Sequence, residues 1–166
     1  LATTAFAMMV RIACRMRDEG HTADEIADYL EKIRLLCEEK GISLILMKAP
    51  ALYPAWYDQW DQQIARYAAD HGLLYINCMK EPEAIGIDFS HDTYDGGIHM
   101  NVYGAEKVAR FLGPELLKVP GVSDRRQEEA LAVRWEEKCR VYDEKKAEQE
   151  EEFSRLGYLK QFYQGQ

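Results

Sequence analysis

The chain has 166 residues, of which 47% are hydrophobic and 30% charged, so it can fill one core but is short for two ordinary domains. Its 29 acidic and 21 basic residues give a formal net charge of −8, which disfavours nucleic acid and anionic lipid as partners. The longest apolar stretch, residues 1–14, is interrupted by threonines and an arginine, so no membrane span is predicted in this chain.

The first segment, residues 2–18, carries apolar side chains at helical spacing and predicts a helix. It has no cleavage pattern of a signal peptide, and residue 1 is Leu rather than Met, so we expect the gene to continue upstream. The cysteines are dispersed without the spacing of a zinc site, and we interpret them as structural thiols: Cys14, Cys37, Cys78 and Cys139.

Helix, glycine and strand then follow one another twice. A helix that a capping box opens and Gly41 ends is followed by a buried strand over 42–47. A second amphipathic helix, which ends before Gly72, is followed by a second buried strand over 73–76. This alternation is typical of a parallel α/β sheet, and because two strands alone are not stable, we expect further strands.

A polar loop, residues 88–101, gathers three aspartates and two histidines directly before a helix that Asn101 is expected to cap. Asp95 precedes His99 by four residues across two glycines, whose positive-φ conformations allow a tight turn. Such an aspartate can orient one ring nitrogen of the histidine while the other faces a substrate. Capping and turn formation alone would explain the same residues equally well.

A neighbouring pair, His91 and Asp92, competes with Asp95 and His99 for the catalytic assignment. The four side chains together could also ligate zinc or iron, which would make the protein a metal-dependent hydrolase. We favour the reading without metal, and no cofactor is predicted.

Beyond residue 120 the composition changes to alternating acidic and basic residues. Residues 124–155 predict one long charged helix with a thin apolar seam formed by Leu131, Trp135, Cys139 and Tyr142. We therefore divide the chain into a core portion, residues 1–120, and a charged helical extension, residues 121–166.

The run Asp95-Gly-Gly-Ile-His99-Met-Asn101, with Tyr103-Gly-Ala-Glu-Lys107 entering the helix, resembles the final block of the SGNH (GDSL-type) hydrolase superfamily, especially its bacterial cell-envelope branch. The likeness spans roughly residues 26–117. It implies that residues 1–120 are the C-terminal portion of a flavodoxin-like three-layer α/β/α sandwich with a parallel sheet. It also implies that His99 is the general base of a serine esterase or acyltransferase, and that Asp95 orients it.

Two departures from this pattern shape the expectations. The family usually places two residues between Asp and His, whereas three lie between Asp95 and His99, so Asp92 remains an alternative partner. No serine lies on a strand-to-helix turn, and Ser43 in Gly41-Ile-Ser-Leu44 opens a strand instead of following one. We therefore expect the nucleophilic serine on a segment of the same protein upstream of this chain.

The resemblance suggests O-acyl, for example acetyl, esters of carbohydrate or envelope polymers as substrates, and an extracytoplasmic location. Four aromatic residues could stack on sugar rings, although core packing explains them too: Tyr53, Trp56, Tyr57 and Trp60. A non-catalytic fragment or scaffold, whose charged helix binds a partner, is the alternative function.

Overall fold

The computed structural model describes residues 4–7, 23–53 and 55–160. Its contacts divide into two compact units. One contains the described residues up to Ala84 together with Lys118–Val122, and the other contains Ile85–Leu117 and the described residues from Ser123 onward. The boundary at residue 120 stays a prediction.

The first unit is a mixed α/β structure built on a short parallel sheet. The strands are β1 (Thr4–Ala7), β2 (Ser43–Lys48) and β3 (Leu74–Asn77), in the order β1-β2-β3. Phe6 pairs with Ile45, and Met47 pairs with Ile76. The helices are α1 (Ala23–Glu39), α2 (Asp58–Asp70), a 3₁₀ turn (Cys78–Lys80) and α3 (Pro82–Ile85).

The predicted alternation of helix and strand is confirmed, with each predicted strand shifted by one residue. The predicted helix over 2–18 is wrong for residues 4–7, which form β1, and the rest of that segment lies outside the described residues. Apolar spacing suggested a helix, but the backbone of these residues pairs with the open edge of β2, so tertiary pairing overrides local propensity. β1 is therefore a third strand, and its pairing with β2 enlarges the sheet beyond the two strands that the sequence predicted.

One face of the sheet packs against α1 and α2. Leu44 and Leu46 of β2 are buried with Leu30 and Cys37 of α1 and Ala68 of α2. Alternate side chains of a strand point to opposite faces, so this pattern leaves Ile45 for the other face, where it is buried as well. Burial on both faces explains the continuous apolar run that predicted β2.

A buried carboxylate joins α2 to the carboxyl end of β3. Asp61 Oδ1 accepts hydrogen bonds from the Tyr75 hydroxyl at 2.7 Å and from Asn77 Nδ2 at 2.6 Å, and Lys80 Nζ pairs with Oδ2. Burial raises the pKa of Asp61, but the bonds from Lys80, Tyr75 and Asn77 outweigh it and hold that pKa below its usual value. The first turn of α2 is thereby fixed to the sheet.

The second unit contains two long helices, α4 (Val102–Leu116) and α5 (Glu129–Leu156). Both were predicted, and Asn101 caps α4 as expected. The predicted apolar seam of α5 is not buried, since Trp135 is 60% exposed and no residue of α5 is buried. In the part of the chain that the structure describes, no helix combines the length and the apolar character that crossing a membrane requires.

Replacing Asp61 by Ala should lower the free energy of unfolding by about 2 kcal/mol, because Tyr75 and Asn77 lose a buried acceptor. Lys80 is more than half exposed, so solvent screens its share of the loss. Urea unfolding measures the effect. Asp70→Ala, which alters an exposed carboxylate of the same helix, is the matched control and should change stability by less than about 0.5 kcal/mol.

The contribution of Asp61 should also depend on pH in a defined direction. Because its pKa is lowered in the folded state, the stabilisation is present above the unfolded value of about 3.9 and is lost as the pH falls through the folded value. The difference in unfolding free energy between wild type and Asp61→Ala should therefore shrink below about pH 4. A difference that grows on acidification would contradict this assignment.

Candidate active site

The polar loop that was singled out from the sequence, residues 88–101, folds around the side chain of Asp92, which is 0% exposed. Its Oδ2 accepts from Lys107 Nζ at 2.6 Å and from the Asp88 backbone N–H at 2.8 Å, and its Oδ1 contacts His91 Nδ1 at 2.7 Å. Burial raises the pKa of Asp92, but these bonds, that of Lys107 first, outweigh it and lower the pKa. Lys107 of α4 thus supplies the positive charge that a buried carboxylate requires.

Asn101 joins the end of the loop to the start of α4. Its Oδ1 accepts from the backbone N–H groups of Tyr103 and Gly104, which caps the helix, and its Nδ2 donates to the His91 carbonyl at 2.6 Å. The side chain therefore satisfies groups at both ends of the loop, and its backbone N–H donates to the Asp92 carbonyl. The prediction of a capping role is confirmed.

Gly104 allows the loop to lie directly on α4. A Cβ at this position would overlap the carbonyl oxygen of Asp92 and come within 2.7 Å of Met100 Sδ. The first obstacle is backbone and cannot rotate away. The helix can therefore approach Asp92 this closely only with glycine at position 104.

Asp95 and His99 are in contact within this loop. His99 Nδ1 lies 2.5 Å from Asp95 Oδ2, while Asp95 Oδ1 accepts from the backbone N–H groups of His99 at 2.8 Å and Ile98 at 3.1 Å. Burial raises the pKa of Asp95, but the His99 side chain and these two N–H groups outweigh it, so the pKa lies below its usual value. An ionised Asp95 accepts from Nδ1, which fixes the tautomer and the orientation of the His99 ring.

Two glycines and a threonine shape the turn between the two residues. Gly96 and Gly97 have φ values of 69° and 118°, which confirms the positive-φ backbone expected of them. The buried Thr93 hydroxyl accepts from the Gly97 N–H at 2.8 Å and donates to the Phe89 carbonyl. The backbone N–H of Tyr94 donates to the His99 carbonyl at 2.9 Å and closes the turn.

The side chain of Asp92 is bound by other partners than His99. Of the two aspartates, Asp95 is therefore the one in contact with His99. Its neighbour His91 packs against the rings of Tyr103 and Phe153, at centroid distances of 4.7 and 4.8 Å. The two glycines accommodate the extra residue between Asp95 and His99. The two side chains are therefore in contact despite the longer spacing. The catalytic role of the pair stays a prediction.

The four side chains do not come together as a metal site. Among the described residues, no group of three or more His, Cys, Asp or Glu is arranged to hold a metal ion. Asp92 directs its oxygens to Lys107, Asp88 and His91 instead, as given above. The geometry therefore gives no support to the metal-dependent alternative.

The serines lie where the sequence indicated. Ser43 is the first residue of β2 and does not follow a strand. Ser90, within the loop, is exposed and donates its hydroxyl to Asp88 Oδ1 at 2.6 Å. Ser123 and Ser154 are exposed, the first between helices and the second within α5.

One residue of the loop's environment, Lys107, has no role predicted from the sequence, yet it is the counter-ion of the buried Asp92. The spacing of Lys107 from Gly104 could have indicated this role, because residues three positions apart lie on the same face of a helix. The position of Asp92 against that face is a tertiary contact that spacing within the loop does not reveal.

No protein-family model, curated protein or solved structure matches the chain.

Gly104→Ala should destabilise the protein by about 1–3 kcal/mol, because the new methyl group overlaps backbone that cannot move aside. The matched control is Ala109→Ser in the same helix, which enlarges an exposed side chain by one atom. That change should lower stability by no more than about 0.5 kcal/mol. Thermal unfolding of the two variants compares them, and equal effects would refute the close approach.

The carboxyl group of Asp95 should titrate below the usual value of about 3.9, and replacing His99 by Gln should move the midpoint upward, because the largest favourable bond to the carboxylate is lost. Carboxyl ¹³C shifts followed by NMR against pH measure both midpoints. An Asp95 midpoint that His99→Gln leaves unchanged would show that the two groups do not interact in solution.

Proposed function

We propose that this chain supplies the acid–base part of a serine esterase or acyltransferase of SGNH type, with His99 as general base and Asp95 as its orienting carboxylate. The observation that carries the proposal is the 2.5 Å contact between His99 Nδ1 and Asp95 Oδ2. His99 is 37% exposed at its side chain, so a reacting group from solvent or from another segment can reach it.

The chemistry follows from the arrangement of the pair. A serine hydroxyl attacks the ester carbonyl while His99 Nε2 accepts its proton, and the resulting imidazolium lies against the Asp95 carboxylate. The C–O bond to the alcohol then breaks, the imidazolium gives its proton to the departing alkoxide oxygen, and the acyl group stays on the serine until water or an acceptor alcohol, deprotonated by His99, removes it. Two backbone N–H groups fix Asp95, so the histidine is oriented before substrate binds.

The nucleophile is proposed to lie on another segment of the same protein. Ser43 begins a strand, whereas a nucleophile of this kind follows one. The order β1-β2-β3 in a parallel sheet is compatible with part of a flavodoxin-like three-layer sandwich, whose remaining strands would pair with an outer edge. We propose that the serine follows one of those strands.

The substrate class proposed is O-acyl, for example acetyl, esters of carbohydrate or envelope polymers, which would place the enzyme outside the cytoplasm. Beside the resemblance, the support is an aromatic group after β2. Tyr57 contacts Trp60 edge-to-face at 4.9 Å and is 58% exposed, and Tyr53 is 63% exposed. An exposed tyrosine ring that a neighbouring aromatic side chain holds, as at Tyr57, is suited to stacking on a sugar ring.

A second candidate is a non-catalytic scaffold that binds a partner through α5. The observation in its favour is the exposure of Val133 and Trp135 on that helix, since exposed large apolar side chains often mark an interaction surface. This function requires no reactive serine and no role for His99.

The test is to express the open reading frame that includes the codons upstream of Leu1 and to measure hydrolysis of acetylated saccharides. His99→Ala should lower kcat/KM by a factor of about 10²–10⁴, the usual contribution of a general base. His71→Ala, which removes a histidine of the other unit, is the matched control and should leave kcat/KM within about twofold. Equal activity of wild type and His99→Ala would disprove the assignment.

A fluorophosphonate probe, which labels activated serines, distinguishes the two candidates. We expect labelling of the longer protein and none of residues 1–166 alone. Labelling of residues 1–166 would contradict the placement of the nucleophile elsewhere, and an unlabelled, inactive longer protein would favour the scaffold.

A further inference from the structure

The helix α5 contacts the loop and α4 through one stripe of its surface. The contacting residues are spaced four, three and four apart, which places them along a single helical face: Tyr142, Lys146, Gln149 and Phe153. This stripe continues the apolar seam expected from the sequence along the same helical face, with Tyr142 common to both, but it lies in the C-terminal half of α5. Because no residue of α5 is buried, these contacts and not a core hold the helix.

The contacts at the first half of the stripe are polar and reach α4. Glu106 accepts from Lys146 Nζ at 2.7 Å and from the Tyr142 hydroxyl at 3.0 Å. The pKa of Glu106 is lowered, first by the bond from Lys146. Both bonds end on the same oxygen of Glu106, so they join the middle of α5 to α4 at one point.

The contacts at the second half reach the loop that carries the candidate pair. Phe153 packs edge-to-face on His91 at 4.8 Å and on Tyr103 at 5.5 Å. Gln149 Oε1 accepts from the Tyr94 hydroxyl at 3.2 Å. Two loop residues that precede Asp95, His91 and Tyr94, are therefore in contact with α5.

Tyr94 connects this surface to the candidate pair. It is the residue directly before Asp95, and its backbone N–H donates to the carbonyl of His99 at 2.9 Å. Its ring is partly buried, and burial raises the pKa of its hydroxyl. A shift of the Tyr94 ring would move the backbone on which both members of the pair depend.

We propose that α5 is a positioning arm that holds Asp95 against His99: Gln149 acts through Tyr94, and Phe153 acts through His91, which contacts Asp92 at the base of the turn. The functional half of the charged helix is then its C-terminal half, and its role is internal to the unit that carries the pair. The catalytic significance of this arm rests on the proposed function, whereas the geometric claim does not.

The first experiment measures the geometry directly. In ¹⁵N-histidine-labelled protein, NMR follows the exchange with water of the Nδ1 proton of His99, identified by its loss in His99→Gln. Phe153→Ala and Gln149→Ala should each speed this exchange at least about tenfold, because the turn opens more often. Trp135→Ala, on the half of α5 outside the stripe, is the matched control and should leave the rate unchanged.

Circular dichroism separates positioning from unfolding. If Phe153→Ala fails to fold, Gln149→Ala, which removes only one hydrogen bond, decides the question. A wild-type exchange rate in folded Gln149→Ala overturns the proposal, and so does an equal rise in Trp135→Ala.

The second experiment uses the longer protein with esterase activity. Gln149→Ala should lower kcat several-fold and change KM little, because the arm orients the base and does not bind substrate. If the longer protein has no esterase activity, the proposed function fails while the NMR result still decides whether α5 positions the pair. If it is active and kcat is unchanged in a variant whose exchange is faster, the catalytic role of the arm is refuted.

Discussion

The candidate site depends on one buried charge, the carboxylate of Asp92. A fully buried carboxylate is costly unless ionic and hydrogen-bonding partners surround it, and here Lys107, the Asp88 N–H and His91 provide them. These partners come from α4 and from the loop itself, so satisfying the charge requires the loop to close on the helix. Gly104 permits the close approach, and the cap formed by Asn101 follows from it. The turn that carries Asp95 and His99 extends from this fixed base.

The loop holds two histidine–aspartate contacts that serve different purposes. Both use Nδ1, but the charge of Asp92 is balanced by Lys107, whereas the oxygens of Asp95 are directed to two backbone N–H groups and to His99. The Asp95 charge can therefore stabilise an imidazolium at His99, while His91 mainly packs between aromatic rings. The contact between His91 and Asp92 is thus structural, whereas the contact between Asp95 and His99 is the candidate for catalysis.

The helical extension illustrates how far a pattern of residues can predict packing. Its existence as a helix was predicted correctly, because charge alternation and helix-forming residues act locally. The contacting residues Tyr142, Lys146, Gln149 and Phe153 continue the predicted seam on the same helical face, but they lie in the C-terminal half and make contact largely through polar groups. Hydrophobic periodicity identifies a buried stripe only when burial, and not hydrogen bonding, holds a helix in place.

The sequence by itself determined the parallel α/β alternation, the helix cap at Asn101, the glycine turn and the nearness of Asp95 to His99, because these features arise from local spacing and from residue-specific backbone preferences. Tertiary structure alone decided that residues 4–7 form a strand, that Asp95 and not Asp92 contacts His99, and that Lys107 neutralises Asp92. The strand and the ion pair depend on groups brought together from separate segments, and Asp95 is left as the partner of His99 because Asp92 is held by Lys107. The sequence thus indicates which residues can perform the chemistry, and the fold selects which of them meet.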